Sequence, residues 1–145
     1  MSKRKATARW QGNLRDGQGT ISLQSGAFEG TYDFPSRFES GPNTNPEELI
    51  GAALAGCYAM AFTGVAEQHG HSPRDINVEA EVTLERGEEG FEVPSIRLYV
   101  NAVVPDLEKK DFERFAGQAK DSCVIAKALR GVEIELRTSL KESAH

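Results

Sequence analysis

The chain has 145 residues and a formal net charge of −5, enough length for one domain with a core of its own. The acidic balance excludes the basic footprint of a nucleic-acid binder and of a protein held on an anionic membrane surface. No stretch reads as approaching the roughly 18 apolar residues of a membrane span, and no apolar run follows the basic start M-S-K-R-K-A-T-A-R-W, so a cytoplasmic location is expected.

Short strands and turns are predicted for the N-terminal third. Ala6, Ala8 and Trp10 alternate with Thr7 and Arg9. Asn13 to Gly19 is turn-rich, Thr20 to Leu23 alternates again, and Phe28 to Phe34 reads as a further short strand. Pro35 to Pro42 reads as a loop by its Pro and Gly content.

A long helix is expected next. Asn45 suits the N-cap, Pro46 the first helical position and Glu48 a capping box. Glu47 and Glu48 face the positive end of the helix dipole. Gly70 is the natural terminator. From Leu49 to Ala66 almost nothing is charged, and a helix apolar all round is a buried one. Gly51, Ala55, Gly56, Ala59 and Gly64 would let other backbones approach closely.

The stretch D-I-N-V-E-A-E-V-T-L-E-R puts Ile76, Val78, Ala80, Val82 and Leu84 on one face of a strand. Arg86 to Gly90 is read as a turn. Ile96, Leu98, Val100, Ala102 and Val104 line the strand that completes an antiparallel hairpin. Phe112, Phe115, Ala116 and Ala119 follow helical spacing, Asp121-Ser122 interrupts it, and Cys123 to Leu129 reads as another short helix. Val132, Ile134, Leu136, Thr138 and Leu140 alternate as a last strand. Strands and helices come in blocks, so the predicted class is α+β in a single domain over 1–145.

Two cysteines, Cys57 and Cys123, are the candidates for chemistry. A cytoplasmic pair is not expected to form a permanent structural disulfide. The pattern leaves two readings open: small buried packing residues, or a thiolate nucleophile and its resolving partner. A thiolate needs a cation or a helix N-terminus beside it. Cys57 falls in mid-helix, so its own dipole cannot serve, and an arginine from elsewhere is the expected source. Cys123 is expected in the first turn of its helix. Other polar residues have plain readings. Glu47 serves as a dipole partner, Arg37 as a loop arginine, and Glu79 and Glu81 as solvated. His69 and His71 suit a helix C-terminus better than a metal, and His145 is a tail residue.

T-N-P-E-E-L-I-G-A-A-L-A-G-C, ending at Cys57, resembles the signature helix of the OsmC/Ohr proteins, thiol peroxidases of osmotic and organic-hydroperoxide stress. The pattern A-x-W-x-G-x-x-x-x-G-x-G-T-I-S (Ala8 to Ser22), the loop S-R-F-E (Ser36 to Glu39) and a late helix with Cys123 follow in family order. The OsmC branch is the nearer of the two. In one departure, Val124 stands where the family usually has proline after its second cysteine.

The resemblance implies an OsmC-like α+β fold, with antiparallel sheets packed around a long buried central helix in an intertwined homodimer. It implies a cytoplasmic cysteine-based peroxidase that reduces organic hydroperoxides, and hydrogen peroxide less well. Cys57 is then the peroxidatic thiol, Cys123 the resolving one, Arg37 the active-site arginine and Glu47 its partner carboxylate. No metal, flavin or haem is required; an external dithiol, of lipoyl type in relatives, restores the pair. Glu47 and Cys57 are ~15 Å apart along one helix, so Glu47 is expected to act either through an outstretched Arg37 or, as we favour, at the site of a second subunit. Met60, Phe62, Tyr58 and Phe38 are candidates for an apolar substrate wall. The competing class is a non-enzymatic redox-sensing or binding protein whose cysteines report oxidation.

Overall fold

Three short strands open the chain, as the alternation predicts: β1 (Ala6–Gln11), β2 (Gln18–Leu23) and β3 (Glu29–Tyr32), paired antiparallel in that order. The computed structural model describes residues 1–141, so the reading of His145 as a tail residue lies outside them. Residues 1–49 and the residues from 50 onward form two compact units.

In the first unit, Trp10 pairs with Gly19 across β1 and β2, and Gly19 with Tyr32 across β2 and β3. A Cβ at Gly19 would collide with both the Trp10 and Tyr32 rings. Glycine there allows those rings to meet, with centroids 5.5 Å apart.

The segment expected as a loop begins instead with a short helix, α1 (Phe34–Phe38). Asp33 caps it, one carboxylate oxygen accepting from the Ser36 N–H at 2.9 Å and the other from the Asn43 amide at 2.8 Å. Pro35 sits in the first turn, where its missing N–H costs nothing. Pro content alone was misleading here, because the same residue that breaks a helix interior starts one. The Asn43 N–H donates to the Ser36 hydroxyl, and the Asn45 side chain donates to the Ser36 carbonyl. These bonds tie the following loop to α1 and place Arg37 in its last turn.

The long helix α2 (Pro46–Gln68) starts and stops where the caps predict. Asn45 accepts from the Glu48 N–H at 2.7 Å. The Glu48 carboxylate takes its bond from the Thr44 hydroxyl at 2.8 Å, in place of the reciprocal capping-box bond. At the other end Gly70 has φ +83, and the N–H groups of His71 and Gly70 return to the carbonyls of Ala66 and Glu67. That is a Schellman stop.

In the second unit, β4 (Asp75–Val82) and β7 (Ser95–Val103) pair antiparallel, with Ile76 opposite Ala102 and Val82 opposite Ile96. Between them the tip separates into a small ribbon, β5 (Glu85–Gly87) and β6 (Gly90–Glu92), around the predicted turn. The helices α3 (Lys109–Ser122) and α4 (Val124–Ala128) follow. The last strand, β8 (Glu133–Lys141), then lies parallel to β7. The two helices form a crossover, which returns the chain in the same direction. This sheet is therefore mixed where antiparallel pairing was expected.

The core lies in this unit. Leu54, Tyr58 and Phe62 of α2 meet Ile96, Leu98 and Val100 of β7 and Phe112, Phe115, Ala116 and Ala119 of α3, all essentially solvent-free. Burying each large side chain contributes about 1.5–3 kcal/mol. The Phe62 and Phe112 rings add an edge-to-face contact at 5.5 Å.

Two expectations for α2 need correction. Its burial is one-sided: Met60 is 79 % exposed, and nothing lies within contact of a Cβ built at Gly56 or Gly64, whereas Gly51 lies against Ala80 and Val82. Only the positions at three- and four-residue spacing reach the sheet and α3. The helix is also long and apolar enough to meet a simple membrane-span criterion, contrary to the reading of the sequence. The lack of charge from Leu49 to Ala66 raises the mean hydropathy, while Leu54, Tyr58 and Phe62 pack into the protein core.

Candidate functional site

The two cysteines come together inside the second unit. Cys57 projects from the middle of α2 and is half-buried; Cys123 is buried at the junction of α3 and α4. The break between those helices falls at Cys123 itself, with φ −65 and ψ 118, and not at Asp121-Ser122. Cys123 is thus the N-cap of α4, one step before the first turn. Both thiols are free, and the two sulfurs lie close enough for each to shift the other's titration.

The junction explains the electrostatics. The first N–H groups of a helix have no partner within it. Burial pushes the Cys57 thiol up, but the Ile125 N–H, the Cys123 thiol and the Val124 N–H together outweigh it and hold Cys57 below the ordinary thiol range. Cys123 moves the opposite way. Burial and the neighbouring Cys57 sulfur push it up, against the N–H groups of Ala126 and Ile125. Of the two sulfurs, Cys57 is thereby the one that ionises more readily. Within this unit the anion is supported by the start of another helix, a source the sequence reading did not consider for Cys57.

Next to Cys57, Tyr58 is fully buried and its hydroxyl donates to the Ala116 carbonyl at 2.8 Å. Burial pushes the phenol far above its ordinary value, so it stays a donor.

Arg37 and Glu47 come together in the first unit. The Arg37 Nε lies 2.9 Å from Glu47 Oε1 and 3.3 Å from Oε2, and an Nη of the guanidinium lies 2.8 Å from Oε1. The Glu47 side chain is 11 % exposed and that of Arg37 41 %. Beyond any effect on the helix dipole, Glu47 orients the guanidinium as a fork. The Arg37 guanidinium also covers the Phe38 ring at 5.0 Å.

The apolar wall differs from the sequence reading. Tyr58 and Phe62 are sealed in the core and Met60 is exposed. In the first unit a cavity of about 180 Å³ is lined by Trp10, Tyr32, Phe34, Phe38 and Arg37, among others. Only Phe38 was among the candidates. Trp10, Tyr32 and Phe34 lie on strand ends and at a helix start, and only folding brings them together.

Among the described residues no cluster of three or more His, Cys, Asp or Glu is arranged to hold a metal. The His69 ring lies 3.0 Å from the Val65 carbonyl and stacks 4.6 Å from Phe115, with His71 at 6.2 Å from the same ring.

The OsmC-like protein family matches residues 39–137, a span that holds Glu47, Cys57 and Cys123. Over 139 residues the chain is 37 % identical to peroxiredoxin OsmC of Escherichia coli, covering 95 % of this chain and 96 % of that protein. It is 29 % identical over 126 residues to the organic hydroperoxide resistance protein OhrB of Bacillus subtilis, covering 85 % and 89 %. The crystal structure of OhrB superposes with a TM-score of 0.75, covering 97 % of this chain and 98 % of that one. An organic hydroperoxide resistance protein OsmC from Legionella pneumophila, 25 % identical, gives 0.74 over 96 % and 99 %. On this match of sequence and fold, the chain belongs to the OsmC-like family.

Proposed function

We propose that this protein is a cysteine-based peroxidase that reduces organic hydroperoxides to alcohols. The observation that carries the reading is the pairing of two free thiols, Cys57 in the middle of α2 and Cys123 at the N-cap of α4, packed together in one unit. The Cys57 thiolate attacks one oxygen of R–O–O–H. An S–O bond forms to the terminal oxygen as the O–O bond breaks, the alkoxide leaves and takes a proton from water to become R–OH, and Cys57 becomes a sulfenic acid. The Cys123 thiol then condenses with it, releasing water and forming the disulfide. A dithiol, of the lipoyl class, returns two electrons and two protons and is itself oxidised.

In this reading Arg37, oriented by Glu47, binds the peroxide oxygens and supports the anion. The aromatic cavity beside Arg37 supports an apolar R group and a preference over hydrogen peroxide. The protein acts as a homodimer. In its support, the first unit buries no large apolar side chain, and α2 leaves a face of small residues around Met60 uncovered. A reducing compartment, the cytoplasm, suits two free thiols.

Steady-state reduction of cumene hydroperoxide and hydrogen peroxide, with a dithiol and then a monothiol, tests the proposal. Many turnovers are expected, fastest with the organic peroxide and the dithiol. Consumption of about one equivalent per chain would instead identify a redox sensor.

A further inference from the structure

Two consecutive residues of α2 reach the same helix. Cys57 meets Cys123 at the end of α3, and Tyr58 donates to the carbonyl of Ala116 in that helix. Ala116 and Cys123 are two turns apart on one face of α3, roughly 10.5 Å along its axis. The carbonyl has two lone pairs, one used by its own helix, so the phenol occupies the second. Among the described residues, no other side-chain hydrogen bond links α2 to the turns of α3 before Cys123. Phe62 meets Phe112 by ring packing, which resists separation of the helices but resists sliding far less than a directional bond does.

Disulfide formation needs the two sulfurs brought to about 2.05 Å with a narrow dihedral preference. A slide of α3 along α2 would carry Cys123 past Cys57. We propose that Tyr58 is a positioning residue for the resolving step: its hydroxyl sets the register of α3 on α2, and so keeps Cys123 within reach of the Cys57 sulfenic acid. The phenol touches neither substrate nor sulfur in this role. The inference rests on the peroxidase reading above and extends it to a residue outside the thiol pair.

The sulfenic acid has two fates. Condensation with the Cys123 thiol gives the disulfide and water. Attack on a second hydroperoxide gives the sulfinic acid and a second alcohol. Their ratio at a fixed hydroperoxide concentration reads the resolving step against over-oxidation, whatever the speed of the first. The experiment treats wild type, Tyr58→Phe and Phe62→Leu with a range of cumene hydroperoxide concentrations, and counts disulfide and sulfinic acid by intact mass. Thermal unfolding confirms that each variant is folded.

For Tyr58→Phe the concentration giving equal amounts of the two products is expected to fall about tenfold, as small misplacements of reacting groups cost one to two orders of magnitude. Phe62→Leu, which loosens the same helix pair without removing a hydrogen bond, is expected to stay within about twofold of wild type. An unchanged ratio in Tyr58→Phe would overturn the role, as would an equal fall in Phe62→Leu, which would make the effect one of packing. A wild-type protein that forms no Cys57–Cys123 disulfide under hydroperoxide would overturn the peroxidase reading itself, and this role with it.

Discussion

The backbone N–H of Val124, at the start of α4, faces the Cys57 sulfur and helps to hold its pKa down. Proline, the residue the family usually places there, has no N–H to give. Val124 is the first residue of α4, where proline is welcome, and Cys123 before it already has φ −65 and ψ 118, a conformation a following proline accepts. Val124→Pro should therefore keep the fold and remove one donor. We expect the Cys57 thiolate absorbance to titrate at higher pH, and sulfenic acid formation at neutral pH to slow by about threefold to tenfold, the weight of one modest hydrogen bond. An unmoved titration curve would mean that this donor carries no weight.

The Cys123 thiol is the other removable donor. Cys57 is held low, so its thiolate fraction, and with it the rate of attack, should reach its plateau at lower pH than an ordinary thiol near 8.5. Cys123, held high, should stay protonated over the same range. Cys123→Ala is expected to move the rate profile of the first step to higher pH, and Cys123→Ser, which keeps a hydroxyl donor, to move it less. Both should complete one turnover and then accumulate over-oxidised Cys57. Cys57→Ser should consume no hydroperoxide. Stopped-flow consumption across pH, with mass analysis of the products, measures all three.

Arg37 and Glu47 combine a structural and a proposed chemical role that a double-mutant cycle separates. Arg37→Ala leaves the nearly buried Glu47 carboxylate unpaired, at a cost of about 1–2 kcal/mol once the exposure of the arginine is allowed for. Glu47→Ala leaves the more exposed partner and should cost less. The double variant should recover part of the stability lost in Arg37→Ala and none of the activity. Each single change should lower peroxidase turnover, Arg37→Ala by about two orders of magnitude, as for loss of a charge-stabilising group. Urea unfolding and steady-state kinetics on the four proteins give both readings.

Met60 stands on the uncovered side of α2, in line with Ala53, Gly56 and Gly64. A second copy packed there would be disrupted by a charge. Met60→Glu is expected to weaken dimerisation by at least tenfold, about 1.4 kcal/mol, seen by static light scattering over a dilution series. If that variant has the mass of wild type at every concentration, this face is not where the copies meet.

The elements were legible because their determinants are local. Asn45 and Gly70 marked the ends of α2, and the alternation from Ile76 to Val82 and from Ile96 to Val104 marked the paired strands. The helix at Phe34–Phe38 was missed because Pro35 reads both as a helix breaker and as a first-turn residue, and only the Asp33 bonds to Ser36 and Asn43 decide between them. The aromatic cavity was missed for a different reason: Trp10, Tyr32 and Phe38 share no periodicity, and strand pairing gathers them.

By itself the sequence determined which two sulfurs the chain has, that Cys57 sits in a helix whose own dipole cannot charge it, and that Arg37, Glu47 and the cysteines follow an OsmC-like order. Tertiary structure alone decided what meets those sulfurs. The interruption near Asp121-Ser122 was legible, but contacts between groups distant along the chain depend on how helices pack, so the meeting of the first N–H groups of α4 with Cys57 has no signature in any local pattern of residues.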